Sequence, residues 1–399
     1  MWKMVKNMDI KKRVNEIFQE LVEIRREFHM HPELSEKEYE TVERICNYLD
    51  KWGIEYERDI ADTGVVAIIR GKEGGRTVAA RADIDALPVV ELNDLPFKSV
   101  NQGIMHACGH DIHTTIHLGV ARLLKEMEND FQGNVKIFFQ PAEETVGGAK
   151  RMIDEGCLKD PDVEYILALH VTSSLDVGNI EIKYGSYNAA TNEFQIKVVG
   201  KSSHAAYPEE SVDSIVVAGY IITALQTLVS RNISPLNSVV LTLGRINGGT
   251  KDNIISGEVT MSGTLRTLDE ETRNYAKKRV KEIAENTAKA HGANAIVEFD
   301  EDGYPAVIND DEVIDVLKDK AEEILGKDKI YYREFPSMGA DDFSYFLQEA
   351  KGAYYNLGSG NKEKGWTAPL HSGKFMADEE SIRVGVLLQT ETLLELLKL

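Results

Sequence analysis

Four short apolar runs in the first half of the chain constrain the fold more than any other feature. Each is five or six residues long, and they are Val65 to Ile69, Thr77 to Ala82, Val135 to Phe139 and Tyr165 to Leu169. Continuous apolar runs of this length are typical of strands buried on both faces of a sheet. Helical patterns lie before and between them, so the sequence predicts an α/β fold with a central mixed sheet flanked by helices.

The helical patterns have recognisable ends. Residues 9 to 30 are amphipathic, and His31-Pro32 ends this helix because proline restricts the residue before it. A second pattern covers residues 36 to 52. A third begins near Asp111, which we expect to cap the helix.

The character of the sequence changes near residue 188. From 192 to 301 the predicted order is strand, helix, strand, strand, helix, strand, with apolar and polar residues alternating in the strands. A chain of 399 residues is also too long for one ordinary core. We therefore predict a catalytic domain of residues 1–187 and 303–399, with an inserted ferredoxin-like βαββαβ lid domain of residues 188–302.

The charge and the cysteine content exclude several classes of protein. Acidic residues outnumber Lys plus Arg by 66 to 46, and a formal charge of −20 would repel a phosphate backbone, so we expect no nucleic-acid binding. The three cysteines resemble no disulfide framework and the first residues resemble no signal peptide, which favours the cytoplasm. The longest apolar stretch, Ile215 to Val229, contains polar residues and predicts a buried helix of a soluble protein, not a membrane span.

The segment from Met105 to His113 is the densest group of potential metal ligands. Cys108 and His110 are two positions apart, so both side chains could point to one side of an extended turn. A thiolate combined with an imidazole suits zinc, cobalt, nickel or manganese. Gly109 between them permits an unusual backbone conformation. This cluster predicts a metal site, whereas a single histidine in a loop would not.

Two adjacent carboxylates follow another predicted strand. An apolar strand runs into Glu143 and Glu144, and ligand sites of open α/β sheets lie beyond the carboxyl ends of strands. Adjacent side chains point in different directions, so one glutamate could hold a metal while the other moves protons at the substrate. Two buried like charges would also need a nearby cation.

Other strand ends carry weaker signals. Asp83 and Asp85 could orient a ligand histidine, although a polar turn before Pro88 explains them as well. His170 closes the fourth run and His371 lies in a loop-like segment, and either alone is more often an ordinary histidine. Combined with the residues above, they would supply five ligands for two metal ions that share a bridge and a water. These are Cys108, His110, Glu144, His170 and His371.

The predicted lid has candidates of its own. His204 lies just after a strand, and its imidazole could donate a hydrogen bond to a carbonyl oxygen on which negative charge develops. The segment from Gly248 to Asn253 and the side chain of Arg266 could bind a substrate carboxylate, since arginine is suited to bidentate pairing. Turn and surface roles explain these residues equally well at this point.

These segments together resemble the zinc-dependent aminoacylase and carboxypeptidase family. The branch is that of auxin-conjugate (IAA-amino acid) hydrolases, hippurate hydrolases and N-acetyl-diaminopimelate deacetylases. The resemblance covers nearly the whole chain, from RREFHMHPELS at 25–35 to HSGKF at 371–375. The motifs between them are RADIDALP, MHACGHDIHTT, FQPAEE, GGAKRMI, KSSHAAYP, NGGTKDNII and SMGADDFSYF.

The resemblance implies a role for each candidate. Cys108 would replace a bridging aspartate of more distant members, Glu143 would be the general base, and Asp85 would orient a ligand. His204 would complete the oxyanion site, often that of the partner subunit, in a homodimer formed through the lid domain. Three further residues would contact the substrate, namely Asn253, Arg266 and Gly339.

The implied reaction is hydrolysis of the amide bond of an N-acyl amino acid, or of a related small amide or dipeptide. Two divalent metal ions per subunit would be needed, with zinc expected and manganese, cobalt or nickel as alternatives. Glu143 would take a proton from water as the hydroxide attacks the carbonyl, and would return it to the leaving amine.

Two other functions stay open on sequence grounds. Cys108 could be a nucleophile with a nearby histidine as its base, and a chelator would spare such an enzyme. The same scaffold could also bind amino acid conjugates without cleaving them, but the intact pair of Glu143 and Glu144 argues against this function.

Overall fold

The computed structural model describes residues 9–300 and 303–399. Its helices are α1 Ile10–Met30, α2 Tyr39–Trp52, α3 His110–Glu126, α4 Ala149–Asp154, α5 Ser214–Thr227, α6 Glu270–Ala290, α7 Asp311–Leu325, α8 Phe346–Glu349 and α9 Glu380–Leu396. Its strands are β1 Glu55–Ile60, β2 Gly64–Arg70, β3 Lys72–Asp83, β4 Gln132–Gln140, β5 Tyr165–Asp176, β6 Ile180–Ile182, β7 Gly185–Asn188, β8 Ala190–Val199, β9 Ser203–His204, β10 Val239–Gly248, β11 Ile254–Ile255, β12 Glu258–Thr267, β13 Asn294–Phe299, β14 Val307–Asn309, β15 Ile330–Tyr332 and β16 Lys351–Gly360.

These elements form two compact units. The described part of the first unit comprises residues 9–185, 309–335 and 342–399. The second unit comprises residues 186–308, of which 301 and 302 are not described, together with residues 336–341.

An eight-stranded mixed sheet forms the centre of the first unit, in the order β1-β2-β4-β3-β5-β16-β6-β15. The four strands β4, β3, β5 and β16 run parallel, and β1, β2 and β6 add antiparallel pairs. The helices α1, α3 and α9 pack on one another, and their apolar faces join those of the strands in one core. The predicted α/β fold with a central mixed sheet flanked by helices is confirmed.

The register of the parallel strands aligns three strand positions that carry polar side chains. Asp83 at the end of β3 pairs with Gln140 at the end of β4. On the other side of β3, Arg81 pairs with Ala168, so His170 follows in β5 at the level of Asp83. Because parallel strands end at the same edge of a sheet, the segments that follow β3 and β4 begin next to β5 at this edge.

The second unit contains a four-stranded antiparallel sheet in the order β10-β12-β8-β13. The apolar sides of α5 and α6 pack on one face of this sheet, in a core separate from that of the first unit. The element order β8-α5-β10-β12-α6-β13 is a split βαββαβ arrangement. Buried residues alternate with half-buried or exposed ones along β8 and much of β12, as expected for strands with one face on a core.

The expectation that Ile215 to Val229 forms a buried helix is only half correct. The helix forms, but Ile215, Val216, Tyr220 and Val229 are between 43% and 53% exposed. The side of α5 that faces the sheet is buried. The opposite side is apolar in its first half, at Ile215, Val216 and Tyr220, and polar in its second half, at Thr223, Gln226 and Thr227. Among the described residues one helix, Ser214–Asn232, has the length and apolar composition of a membrane span, which by itself is weak evidence for one.

Candidate metal centre

Five side chains from separate segments of the first unit meet near the ends of the parallel strands. Cys108 and His110 lie where the chain enters α3, and Glu144 follows β4. His170 belongs to β5, and His371 lies in the segment that precedes α9. Their ligand atoms form overlapping groups in which all atoms lie within 4.8 Å of one another: Cys108 with His110 and His170, and Cys108 with Glu144 and His371.

The distances between single atoms are those of a compact cluster. Sγ of Cys108 lies 3.4 Å from Nε2 of His170. Oε1 of Glu144 lies 3.9 Å from Nε2 of His110 and 3.4 Å from Nε2 of His371. The structure therefore brings the ligand atoms of all five predicted residues into two overlapping groups.

Hydrogen bonds on the far side of two rings turn their Nε2 atoms toward this space. Nδ1 of His110 donates to the backbone oxygen of Asp85 at 2.9 Å and lies 3.2 Å from its carboxylate. Nδ1 of His170 donates to the backbone oxygen of Val171 at 2.7 Å. Such contacts fix the tautomer and the orientation of histidines that bind metals.

Among the residues that the structure describes, two buried polar atoms of the cluster make no hydrogen bond, although each lies within 4 Å of another proposed ligand. They are Nε2 of His110 and Oε1 of Glu144. An unsatisfied buried nitrogen and carboxylate oxygen are costly, and a cation between them would remove the cost. The residues present therefore fit a metal ion.

The electrostatics of the cluster also favour a cation. Burial lowers the pKa of His110, but the charges of Asp83, Asp85 and Glu144 outweigh it and raise this pKa to about 10. Burial raises the pKa of the Cys108 thiol well above its usual value, and Glu144 raises it further. An excess of negative charge therefore surrounds these two residues, and a divalent ion would convert the thiol to the thiolate that binds metals.

The turn between Cys108 and His110 depends on glycine. Gly109 has φ of +87°, in the left-handed region that glycine adopts without strain. A Cβ atom at this position would lie 2.3 Å from Cγ2 of Val171. Only glycine therefore allows the start of α3 to approach β5 closely enough for Cys108 to meet His170.

The predicted general base lies beside the cluster. Glu143 is half-buried. A carboxylate oxygen of Glu143 and the ligand atoms of His110 and Glu144 all lie within 4.8 Å of one another. Asp85 accepts from the backbone N–H of Glu144 at 3.0 Å, so it contacts the glutamate loop as well as His110. Burial raises the pKa of Asp85, but the hydrogen bond and charge of His110 outweigh it and leave the carboxylate ionised.

The remaining predicted residues lie in the second unit. His204 and Asn253 are exposed and adjacent, because His204 pairs with Ile254 and the N–H of Ala205 donates to the oxygen of Asn253 at 3.1 Å. Arg266 and Gly339 also lie near each other, since Nη1 of Arg266 is 3.4 Å from the oxygen of Met338. The second unit thus contains two separate pairs of these candidates.

The prediction that Asp111 caps α3 is wrong. The N-cap residue is Gly109, and Asp111 lies in the first turn with its side chain fully buried. Its carboxylate lies 2.8 Å from Nε of Arg25 and 2.8 Å from Nδ1 of His29, both in α1. The Asp111 carboxylate therefore pairs with Arg25 and His29 and does not cap the backbone of its own helix.

Sequence reasoning missed a buried network beneath the cluster. Arg81 donates to Gln140 at 2.8 Å, to Asp83 at 2.6 Å and to Asp342 at 2.7 Å. Asp83 also accepts from Nδ1 of His113 at 2.5 Å, and Nε2 of His113 accepts from the N–H of Val171. Both ring nitrogens of His113 thus make hydrogen bonds, so His113 is not counted among the proposed metal ligands. The signals of this network in the sequence were Arg81 inside an apolar run and Asp83, which was expected to orient a ligand histidine.

Comparison with known proteins gives consistent matches. The model of peptidase family M20/M25/M40 matches residues 79–395. Thermostable carboxypeptidase 2 of Saccharolobus solfataricus is 41% identical over 381 residues, which cover 95% of each chain. IAA-amino acid hydrolase ILR1-like 4 of Arabidopsis thaliana is 39% identical over 96% of this chain and 88% of its own.

A solved structure agrees with these relatives. YXEP of Bacillus subtilis, a dinuclear metal-binding peptidase from the M20 family, has a TM-score of 0.83 and 33% identity over 96% of this chain and 99% of its own. The fold and the site define a metal-dependent amidohydrolase, as the sequence predicted. More particularly, the chain belongs to peptidase family M20/M25/M40.

Proposed function

We propose that this protein uses two divalent metal ions to hydrolyse the amide bond of small N-acyl amino acids. Cys108, His110, Glu144, His170 and His371 are the proposed ligands. The observation that supports this assignment best is the meeting of five ligand atoms from distant segments, two of which are buried and without hydrogen bonds. The S, N and O donors suit zinc, with manganese, cobalt and nickel as alternatives.

Glu143 is the proposed general base. When bound, the metal ions would supply Lewis acidity toward water and the substrate carbonyl. Glu143 takes the proton of the attacking water and returns it to the leaving amine nitrogen. The Asp85 carboxylate contacts Nδ1 of His110 and accepts a hydrogen bond from the backbone N–H of Glu144. Asp85 is therefore a positioning residue for two of the proposed ligands.

The substrate class is inferred from the relatives. An IAA-amino acid hydrolase and a carboxypeptidase both, by their names, release an amino acid from a conjugate or a peptide. Asn253, Arg266 and Gly339 are proposed to bind the substrate carboxylate, and His204 its carbonyl oxygen. Residues 188–302 are the proposed lid domain.

We further propose that the protein is a cytoplasmic homodimer. Strand β10 is an edge strand of the second unit and carries the exposed residues Val240 and Ile246, while α5 exposes its apolar side nearby. An open strand edge beside an apolar helix face is suited to pairing with a second copy. Sedimentation equilibrium of the parent protein and of a Val216→Glu, Tyr220→Lys variant tests this arrangement. A parent protein that sediments as a monomer would contradict it.

The central experiment is the variant Glu143→Ala, with metal content and turnover measured together. It should retain two metal ions, since Glu143 is not among the proposed ligands, and lose turnover by roughly 10³-fold or more on a panel of N-acyl amino acids and dipeptides. Glu128→Ala, a partly exposed glutamate after α3, is the matched control and should change neither quantity. Near-normal turnover of Glu143→Ala would remove Glu143 from this role.

A further inference from the structure

The loop that carries Glu143 has an unusual backbone. Ala142 adopts φ of +56° although it is not glycine, and such a conformation persists only when the surroundings hold it. Its N–H donates to Oε1 of Glu38 at 2.9 Å, and its oxygen accepts from the N–H of Gly147 at 2.9 Å. A buried carboxylate from a distant segment therefore holds the peptide between Pro141 and Ala142, one residue before Glu143.

The peptide after Glu143 is held in the same way. The N–H of Glu144 donates to Oδ2 of Asp85 at 3.0 Å. The same oxygen accepts from the hydroxyl of Ser35 at 2.7 Å. Glu143 thus lies between two backbone N–H groups, each of which is bound to a buried carboxylate.

Both contacts lead back to the connection between α1 and α2. This connection runs beside Asp85, since Leu34 forms a bridge with Ala86 and the N–H of Ala86 donates to the oxygen of Glu33 at 2.8 Å. Ser35 then reaches Asp85, and Glu38 reaches Ala142. One short segment therefore supports both sides of the loop.

Glu38 occupies a helix N-cap without capping the helix. It is the residue before α2, but its side chain makes no cap hydrogen bond. The first N–H groups of α2 donate instead to Glu33, from Thr41 at 2.7 Å and from Glu40 at 3.2 Å. Glu38 is completely buried, and its second oxygen accepts from the hydroxyl of Thr63 at 2.7 Å. Capping therefore does not explain Glu38, whereas the contact with Ala142 does.

We infer that Glu38, assisted by Ser35 through Asp85, is a positioning residue that fixes the direction of the Glu143 carboxylate. This role rests on the proposed function of Glu143 as the general base. A base that must reach a water proton loses efficiency when it is displaced, and a displacement of about 1 Å costs on the order of 100-fold in rate. The segment 33–38, far from the reacting atoms in sequence, would then control kcat without touching the substrate.

The test compares variants at one buried site. Glu38→Leu removes the acceptor for Ala142, whereas Glu38→Gln keeps it, because the amide oxygen accepts from Ala142 and the amide nitrogen donates to Thr63. Thr63→Val is the matched control, since it removes the other partner of Glu38 and leaves the Ala142 contact. If Glu38→Leu does not fold, Glu38→Asp serves, because its shorter side chain keeps the charge but does not reach Ala142.

Two measurements decide the outcome. In the metal-loaded enzyme, Glu38→Leu or Glu38→Asp should lower kcat by about 100-fold with KM and metal content close to the parent values, and Glu38→Gln and Thr63→Val should stay within about threefold. In the metal-free protein, deuterium uptake by the backbone of residues 140–147 should be faster in Glu38→Leu than in Thr63→Val.

Equal losses of kcat in Glu38→Leu and Thr63→Val, or unchanged deuterium uptake, would overturn the positioning role. The variant Glu143→Ala separates this failure from that of the proposed function. If Glu143→Ala keeps its turnover, the general base is wrong, and the exchange experiment still reports whether Glu38 holds the loop.

Discussion

Nε2 of His371 lies 3.4 Å from Oε1 of Glu144, and the two side chains differ sharply in exposure. The side chain of His371 is 54% exposed, while that of Glu144 is 8% exposed. The backbone of His371 is held in place, because its N–H donates to the oxygen of Ala107 at 2.9 Å. His371 is therefore the outermost of the five proposed ligands, and an ion that it shares with Glu144 would be the one nearer to solvent.

Removal of this outer ligand should affect one ion more than the other. We expect His371→Ala to reduce the metal content from two ions to about one per chain, because the group of Cys108, His110 and His170 stays complete. Mass spectrometry of the metal content after gel filtration gives the measurement, and His291→Ala, an exposed histidine of the second unit, is the control. Two firmly bound ions in His371→Ala would contradict this assignment.

Cys108 belongs to both ligand groups, so its replacement separates a bridging role from a nucleophilic one. Cys108→Asp should keep two metal ions and measurable turnover, since a carboxylate can bridge two cations as the thiolate would. Cys108→Ala should lose turnover by roughly 100-fold or more. A Cys108→Asp protein with full metal content and no turnover would favour the thiol as nucleophile, a role to which the raised pKa of this buried thiol is unsuited.

The buried pair of Arg25 and Asp111 should contribute strongly to stability. Nε of Arg25 lies 2.8 Å from Oδ2 of Asp111, and both side chains are at most 4% exposed. Asp111→Ala would remove the shorter carboxylate contact of the buried Arg25 guanidinium and leave its 3.4 Å contact with Glu379. It should lower the free energy of unfolding by about 3 kcal/mol. Glu126→Ala breaks the partly exposed pair with Arg13 and should cost about 1 kcal/mol or less. Urea unfolding of both variants gives the comparison, and equal effects would show that burial of the pair is unimportant.

Much of the proposed site could be predicted because its residues follow apolar strands. Asp83 and Glu144 could be assigned to the ends of β3 and β4 from sequence, and parallel strands place such ends at one edge of a sheet. The expectation that His170 closes its strand is wrong, because β5 continues to Asp176. The contacts of Glu38 with Ala142 and of Arg25 with Asp111 could not be predicted. They join segments that lie far apart in the chain, and no local period or cap pattern records such a pairing.

The exposure of α5 was missed for a related physical reason. An apolar composition predicts that a helix avoids water, but it does not say what covers each side. In the second unit the sheet covers one side only, so Ile215, Val216 and Tyr220 remain exposed. Apolar residues that stay exposed on a helix indicate a partner as well as a core.

Glu38 should make the stability of the protein depend on pH. Burial raises the pKa of Glu38 from 4.5 to about 7, although the hydrogen bond from Thr63 opposes this shift. Since the pKa is higher in the folded state, the stability that this group contributes is fully present below pH 4.5 and is lost as the pH rises through 7. Glu38→Gln removes this titration, so its stability relative to the parent protein should increase from pH 5 to pH 8.

Thermal unfolding of the metal-free parent and of Glu38→Gln measures this effect. At about 1.4 kcal/mol for each pKa unit, the relative gain should be on the order of 2 kcal/mol across this range. Thr63→Val should keep a pH dependence, because Glu38 still titrates in that variant. A difference between the parent and Glu38→Gln that does not vary with pH would contradict the raised pKa.

The spacing of the proposed ligands depends on the absence of one methyl group. Any side chain at Gly109 would push against Val171, whose N–H and oxygen hold His113 and His170. Such a residue would push the first turn of α3 away from β5, and would thereby move Cys108 and His110 away from His170. Engineers who wish to alter the choice of metal can therefore vary Cys108 or His110, but the position between them offers no room for adjustment.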